Sequence, residues 1–283
     1  MRLDLLKRLL AVPSYTFHEQ RMAAFLIAHV NERGVAHCGR ATVDEHNNVY
    51  IVKGNAQFAP CLAAHTDTVH NWKEVQIVQQ DGTLVGFDAL GRRIGTGGDD
   101  KAGICVSLKL IERFENIAAV FFSAEEVGCI GARKARADFF ERVGYVVEFD
   151  CPGAGLLSYT SGGERLFKND GPFIQRALPV LKRHGSTKWQ RHPFSDVMAL
   201  RQRFSFECLN LSAGYRQWHR DDEHVNLAEV AAAVALGEEL VRALGEQRYE
   251  FCVGEPESPC PPMKVTAMTA DELKAWLPEA ASR

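Results

Sequence analysis

Cys61-Leu62-Ala63-Ala64-His65-Thr66-Asp67 sets a short, wholly apolar run directly before an imidazole and a carboxylate. An apolar run of this length, without alternation, reads as a central strand buried on both faces. The same arrangement recurs along the chain. Ala118-Ala119-Val120-Phe121-Phe122-Ser123 leads into Glu125-Glu126, and Tyr145-Val146-Val147-Glu148-Phe149 leads into Asp150. Asp99-Asp100-Lys101 follows the glycine-rich Gly95-Thr96-Gly97-Gly98, and His219 precedes Glu223. A parallel α/β sheet lines up the carboxyl ends of its strands along one edge, where ligands bind. Dispersed acids and imidazoles at strand ends therefore converge on one site, and their nitrogen and oxygen donors suit a pair of zinc-like ions.

Working outward, the pattern alternates strand and helix. A helix near 2–11 ends at Pro13, and Thr16 with Glu19 reads as a capping box opening a second helix to about Val30. Val49–Val52 is a strand, and 75–85 a hairpin about Asp81-Gly82. Helices are expected over 101–114, 130–140, 174–184 (despite Pro179) and 226–244, with further strands at 156–160 and 204–209. This alternation predicts a doubly wound, mixed and mostly parallel α/β sheet flanked by helices. Residues 1–283 read as a single catalytic domain: no repeat or low-complexity linker divides them, and 283 residues suffice for one substantial core. Beyond about 250 the prolines Pro256, Pro259, Pro261 and Pro262 make a loop-rich extension, with a last short helix opening at Thr269 and Glu272.

Bulk properties narrow the functions. A net charge of −3 and a pI near 6.4 leave no basic footprint for nucleic acid. No apolar stretch reaches the roughly 20 residues that cross a bilayer, and the amphipathic start is not a signal peptide. The eight cysteines include no C-x-x-C pair and sit mostly among apolar or small neighbours. These features predict a cytoplasmic protein with free thiols.

Each member of the constellation has its own chemistry. Residues two apart in an extended segment point the same way, so Asp67 can reach back to His65 and fix its tautomer. Asp99, at the tip of a glycine turn, can offer its two oxygens to different metals, although capping the following helix is an alternative use. Glu125 and Glu126 are adjacent and diverge, so one can ligate while the other serves as general base. Asp150 suits a terminal ligand. Near the C-terminal end His219 has a rival in His224.

His65-Thr66-Asp67-Thr68-Val69, Gly98-Asp99-Asp100-Lys101-Ala102-Gly103, Glu125-Glu126-Val127-Gly128, Asp150 and His219, in this order, resemble the co-catalytic di-zinc exopeptidases, with peptidase T and its relatives nearest. Ser195-Asp196, Asn210-Leu211, Gly214-Tyr215 and the run from Glu223 to Leu227 extend the likeness over about residues 1–245. The resemblance implies that His65 and Asp150 hold one zinc, Glu126 and His219 the other, with Asp99 bridging. It implies further that Asp67 orients His65 and that Glu125 is the general base. Manganese or cobalt suits the same donors. Only residues 151–218 separate Asp150 from His219, too few to complete the sheet and also carry a lid and dimerisation domain of ordinary size, about 100 residues. A lidless member of the family is therefore expected, with its oligomeric state open. The expected activity is hydrolysis of amide bonds in short peptides from the amino end. An N-acyl amino acid deacylase or carboxypeptidase is the alternative, for which Arg165 or Arg216 would receive the substrate carboxylate. A non-catalytic metal-binding scaffold would have no use for Glu125.

Overall fold

The structure, a computed structural model, describes residues 3–252. In chain order the first elements are α1 (Leu3–Leu10), α2 (Gln20–Arg33), α3 (Val35–Cys38), β1 (Arg40–Val43), β2 (Val49–Lys53) and β3 (Ala59–His65). They are followed by β4 (Gln76–Gln80), β5 (Thr83–Phe87), β6 (Arg93–Ile94), α4 (Gly98–Ile111) and β7 (Ile117–Phe122). Next come α5 (Ile130–Arg133), α6 (Ala137–Phe140), β8 (Val143–Cys151), β9 (Leu156–Ser161) and β10 (Glu164–Arg165). The last are α7 (Pro172–Arg183), β11 (Lys188–His192), α8 (Asp196–Arg201), β12 (Cys208–Ser212), β13 (Tyr215–Arg216), β14 (His224–Asn226) and α9 (Leu227–Leu244). The expected extension after residue 252, with its helix at Thr269, lies outside the described residues.

The main sheet runs β1-β2-β7-β3-β8-β12-β9-β10, with β11 on β9. Its centre is parallel: β3 pairs with β7 and β8, and β12 with β8. Its flanks are antiparallel, at β1–β2–β7 and at β12–β9–β10. Every residue of β7 and β8, and all of β3 after Ala59, is buried, as expected of strands covered on both faces. The fold is thus the expected mixed α/β sheet flanked by helices, without an inserted lid. Residues 151–218 instead build β9 to β12, α7 and α8 onto the same sheet.

A second, antiparallel sheet, β13-β14-β5-β4 with β6 on β5, was foreseen only as the hairpin about Asp81-Gly82. It carries the segment that leads to His219 and packs beside the start of α4.

Lys101, on α4, is fully buried. Its ammonium donates to the Val12 carbonyl at 2.7 Å and lies 4.5 Å from the centre of the Trp72 ring. Burial pulls its pKa down to about 7, with Glu223 acting in the opposite direction.

Three local expectations fail. The continuous helix over 130–140 is two single turns, α5 and α6, because the Arg203 guanidinium takes the carbonyls of Ala132 and Ala135, both at 2.8 Å, where the helix would have continued. The strand expected over 204–209 begins only at Cys208. Phe204 and Phe206 instead stack on Phe140, with ring centres 4.6 and 5.8 Å away. The capping box at Thr16 and Glu19 does not form, and both side chains point to the site described next.

Candidate active site

Parallel β7, β3, β8 and β12 deliver their carboxyl ends to one edge. His65 is the last residue of β3, Glu125 and Glu126 follow β7, Asp150 is next to last on β8, and His219 follows β13. Asp99 comes from the first turn of α4, after Gly97, whose positive φ of 64° suits glycine. Gly103 is needed for a different reason: a Cβ there would sit 2.5 Å from the Asp100 carboxylate.

All seven expected residues are brought together. His65 Nε2 lies 3.1 Å from Asp99 Oδ1, 3.5 Å from Asp150 Oδ1 and 4.0 Å from Glu125 Oε2. His219 Nε2 lies 2.9 Å from Glu126 Oε2 and 3.4 Å from Asp99 Oδ2. The two oxygens of Asp99 thus face different histidines. Two groups of donor atoms result, His65–Asp99–Asp150 and Asp99–Glu126–His219, each within 4.8 Å. His224, the rival, is in neither group, and its Nδ1 is 3.0 Å from the Asp222 carbonyl.

The supporting contacts explain how the chain holds this geometry. His65 Nδ1 is 3.1 Å from the backbone carbonyl of Asp67 and 3.4 Å from its carboxylate, so the main chain shares in orienting the ring. The Asp67 carboxylate accepts from the amides of Glu125 and Glu126 and from the Thr16 hydroxyl, at 2.9, 3.3 and 3.0 Å. It therefore fixes the loop that presents both glutamates. Glu19 accepts from the Ala124 amide at 3.1 Å, which completes that clamp and explains the missing capping box. Asp150 receives the Tyr215 hydroxyl at 3.2 Å, and its amide donates to Asn210 Oδ1 at 3.0 Å.

Glu223 is the support that sequence reasoning left without a role. Fully buried, it accepts from the amides of Gly97 (2.6 Å) and Asp99 (3.0 Å) and lies 2.9 Å from His70 Nε2. Glu223→Gln puts an amide donor against a backbone donor. It is expected to lower unfolding free energy by about 1–3 kcal/mol, measured by urea denaturation. Glu148 and Asp196 likewise have no role assigned from sequence. Both are buried, and neither Asp196 oxygen has a hydrogen-bond partner. Glu148 had a signal, since it shares a strand face with Asp150 two positions on.

The electrostatics are those of acids held out of water. Burial pushes the Asp150 carboxyl up to about 7, opposed by His65 and reinforced by Asp99. Burial also raises Glu125 well above its usual range and raises Glu126, each opposed by a nearby imidazole. Asp99 goes the other way: burial resists its charge, but His219 and His65 hold its carboxyl far below the ordinary value. Against burial, Glu126 and Asp99 raise His219 to about 11, and Asp150, Asp67 and Asp99 raise His65 strongly. The residues fit divalent cations. The donor set is imidazole and carboxylate, Glu126 Oε1 is buried with no hydrogen-bond partner, and the clustered negative charge needs offsetting.

The sequence pattern of Peptidase family M20/M25/M40 matches residues 61–243, a span that contains all seven residues. The chain belongs to this family. M20 enzymes are metal-dependent hydrolases, usually with zinc. A curated relative, the [LysW]-lysine hydrolase of Deinococcus radiodurans, is 28% identical over 159 residues, 56% of this chain and 40% of that protein. The chain therefore spans less than half of that relative. Among solved structures, aminopeptidase PepT from Bacillus cereus superposes with a TM-score of 0.71 at 13% identity, covering 86% of this chain and 97% of that one. A tripeptidase from Staphylococcus aureus gives 0.70 at 13%, with the same coverage. The TET1 peptidase of Pyrococcus horikoshii gives 0.62 at 14%, covering 84% and 98%. At such identities the likeness establishes the fold.

Proposed function

We propose that this M20 protein is a single-domain, two-metal exopeptidase that removes the amino-terminal residue of short peptides in the reducing cytoplasm. The observation that carries the reading is the placement of Asp99, one oxygen toward each of two imidazole–carboxylate groups, with Glu125 alongside. His65 and Asp150 would hold one zinc-class ion, Glu126 and His219 the other, and Asp99 both. Such ions supply Lewis-acid polarisation of a carbonyl and lower the pKa of water.

This chain's own residues supply the proton chemistry. Glu125 ligates neither ion in this assignment, and burial raises its carboxyl well above the usual carboxylate value, which makes it a stronger base when ionised. It would accept the proton of the attacking water and pass it to the departing amine. Asp67 would hold Glu125 in place through its backbone amide.

Charge supports the amino-terminal preference. With the charges of Asp99, Glu126 and Asp150 offset by the two ions, Glu125 remains beside the site as a carboxylate that can receive a substrate ammonium. The arginines considered for carboxylate capture are engaged elsewhere: Arg216 with Glu229 at 2.5 Å, and Arg165 with Asn169 at 2.7 Å. That weakens the carboxypeptidase and deacylase alternatives. Cys38, Cys61, Cys105, Cys129, Cys151 and Cys208 are buried free thiols, which supports a reducing compartment. Among the described residues, no helix is long and apolar enough to cross a membrane.

The test is a panel of free-amino dipeptides and tripeptides, their N-acetylated forms, and aminoacyl anilides, assayed on zinc-loaded protein. Hydrolysis confined to substrates with a free amino terminus is expected. Preference for the acetylated forms would overturn the aminopeptidase reading. Activity unaffected by exhaustive chelation would overturn the metal mechanism.

A further inference from the structure

A third group of metal-type donors lies on the helices, outside the sheet edge that carries the two active-site groups. His29 on α2, Cys38 at the end of α3 and Glu112 just after α4 place an imidazole nitrogen, a thiol sulfur and a carboxylate oxygen within 4.8 Å of one another. Cys38 is fully buried, and His29 is only 6% exposed. His29 Nε2 is buried without a hydrogen-bond partner, an arrangement that costs free energy unless something accepts its lone pair or its proton. The Phe25 ring lies parallel to the imidazole, with ring centres 6.3 Å apart, and offers Nε2 no hydrogen-bond partner.

We propose that His29, Cys38 and Glu112 form a separate site for one zinc-class divalent ion, with water completing a tetrahedral set. Thiolate, imidazole and carboxylate are the three side-chain donors such an ion takes. Neither active-site group contains a sulfur ligand, so the two sites differ in kind. Glu112 is now paired with Arg33 at 2.8 Å and Lys109 at 3.6 Å. Its side chain is 20% exposed, which leaves a path for the ion.

Charge and proton balance are consistent with this assignment. Burial holds His29 below its usual pKa, with Glu112 opposing, so its imidazole is neutral and able to ligate near pH 7. Burial and then Glu112 push the Cys38 thiol up, with Arg33 opposing. Binding must therefore displace the thiol proton to solvent, and Glu112 must exchange its arginine for the ion. The ion would tie α2, α3 and the end of α4 into one unit.

Cobalt separates this site from the catalytic one, because only a thiolate ligand gives the near-ultraviolet thiolate-to-cobalt charge-transfer band. Titrating metal-free, full-length protein with Co2+ should produce that band, and Cys38→Ser should abolish it. The variant should bind one fewer ion per chain by elemental analysis and keep peptidase activity unchanged. His29→Gln, which leaves the thiol in place, should likewise lose the ion. Near- and far-ultraviolet circular dichroism checks that both variants remain folded. The absence of a charge-transfer band in the parent protein would overturn the proposal. So would a band of unchanged strength in Cys38→Ser, which would assign it to another cysteine.

Discussion

Glu125→Gln is expected to lower kcat by roughly 10²- to 10⁴-fold, the usual contribution of a positioned proton-transfer group, while the metal content stays at the parental level. The amide is nearly isosteric with the acid and keeps the Glu125 backbone amide available to Asp67, so the loop after β7 should hold its shape. What it removes is the capacity to accept a proton. Glu126→Gln differs, because it weakens the oxygen that faces His219 at 2.9 Å and should reduce metal content as well as rate. Measuring kcat together with bound metal on both variants assigns the two neighbours. Near-parental turnover in Glu125→Gln would take the base role away from Glu125. Loss of metal in that variant would move it into the ligand set.

The second large effect concerns the metal-free protein, which should become progressively less stable as pH rises from about 4 toward 9. Asp150 keeps its proton in the fold up to about 7 instead of the ordinary 3.8. Across that window the unfolded chain has lost a proton that the folded chain retains, so rising pH favours unfolding. His219 continues the trend with the same sign. Its stabilising charge is fully present below 6.5 and is lost as pH climbs toward its folded value of about 11. The buried acids Glu125 and Glu126 act as Asp150 does. Two groups depart from the trend: Asp99, whose depressed pKa contributes stability that is constant above the ordinary 3.8, and Lys101, held down to about 7, which adds stability above pH 7 and so offsets part of the slope there. Each group held off its ordinary value changes stability by about 1.4 kcal/mol per pH unit within its window. Bound divalent ions should oppose the trend, because they need the deprotonated ligands. Thermal unfolding of chelated and zinc-loaded protein at pH 5, 7 and 9 reads this directly. A chelated protein whose Tm rises between pH 5 and 9 would contradict the charge arrangement described for this site.

The parts of this chain that were legible in sequence are those where one physical demand governs a segment. Ala59–His65 must be buried on both faces, and its apolar run says so. Gly95 to Gly98 must bend, and glycine announces it. The seven site residues could be gathered because parallel strands end on a common edge, which turns separation in sequence into neighbourhood in space. Misreadings arose where a local pattern was claimed by a distant partner. Thr16 and Glu19 have capping-box spacing, yet Asp67 and the Ala124 amide bind them instead. The break between α5 and α6 depends on Arg203, some seventy positions further on. Glu223 was visible as a neighbour of His219, but its grip on the turn at Gly97 required the second sheet to bring them together.

The buried Lys101 ammonium carries a lesson for homologous chains and for redesign. Position 101 and the backbone at Val12 complete one another across 89 residues, and Trp72 closes the remaining side. Exchanging the lysine for an isosteric methionine would strand a carbonyl, and re-routing the chain at position 12 would strand a cation. Any residue at position 12 supplies that carbonyl, so it is the side chains at 101 and 72 that should change together.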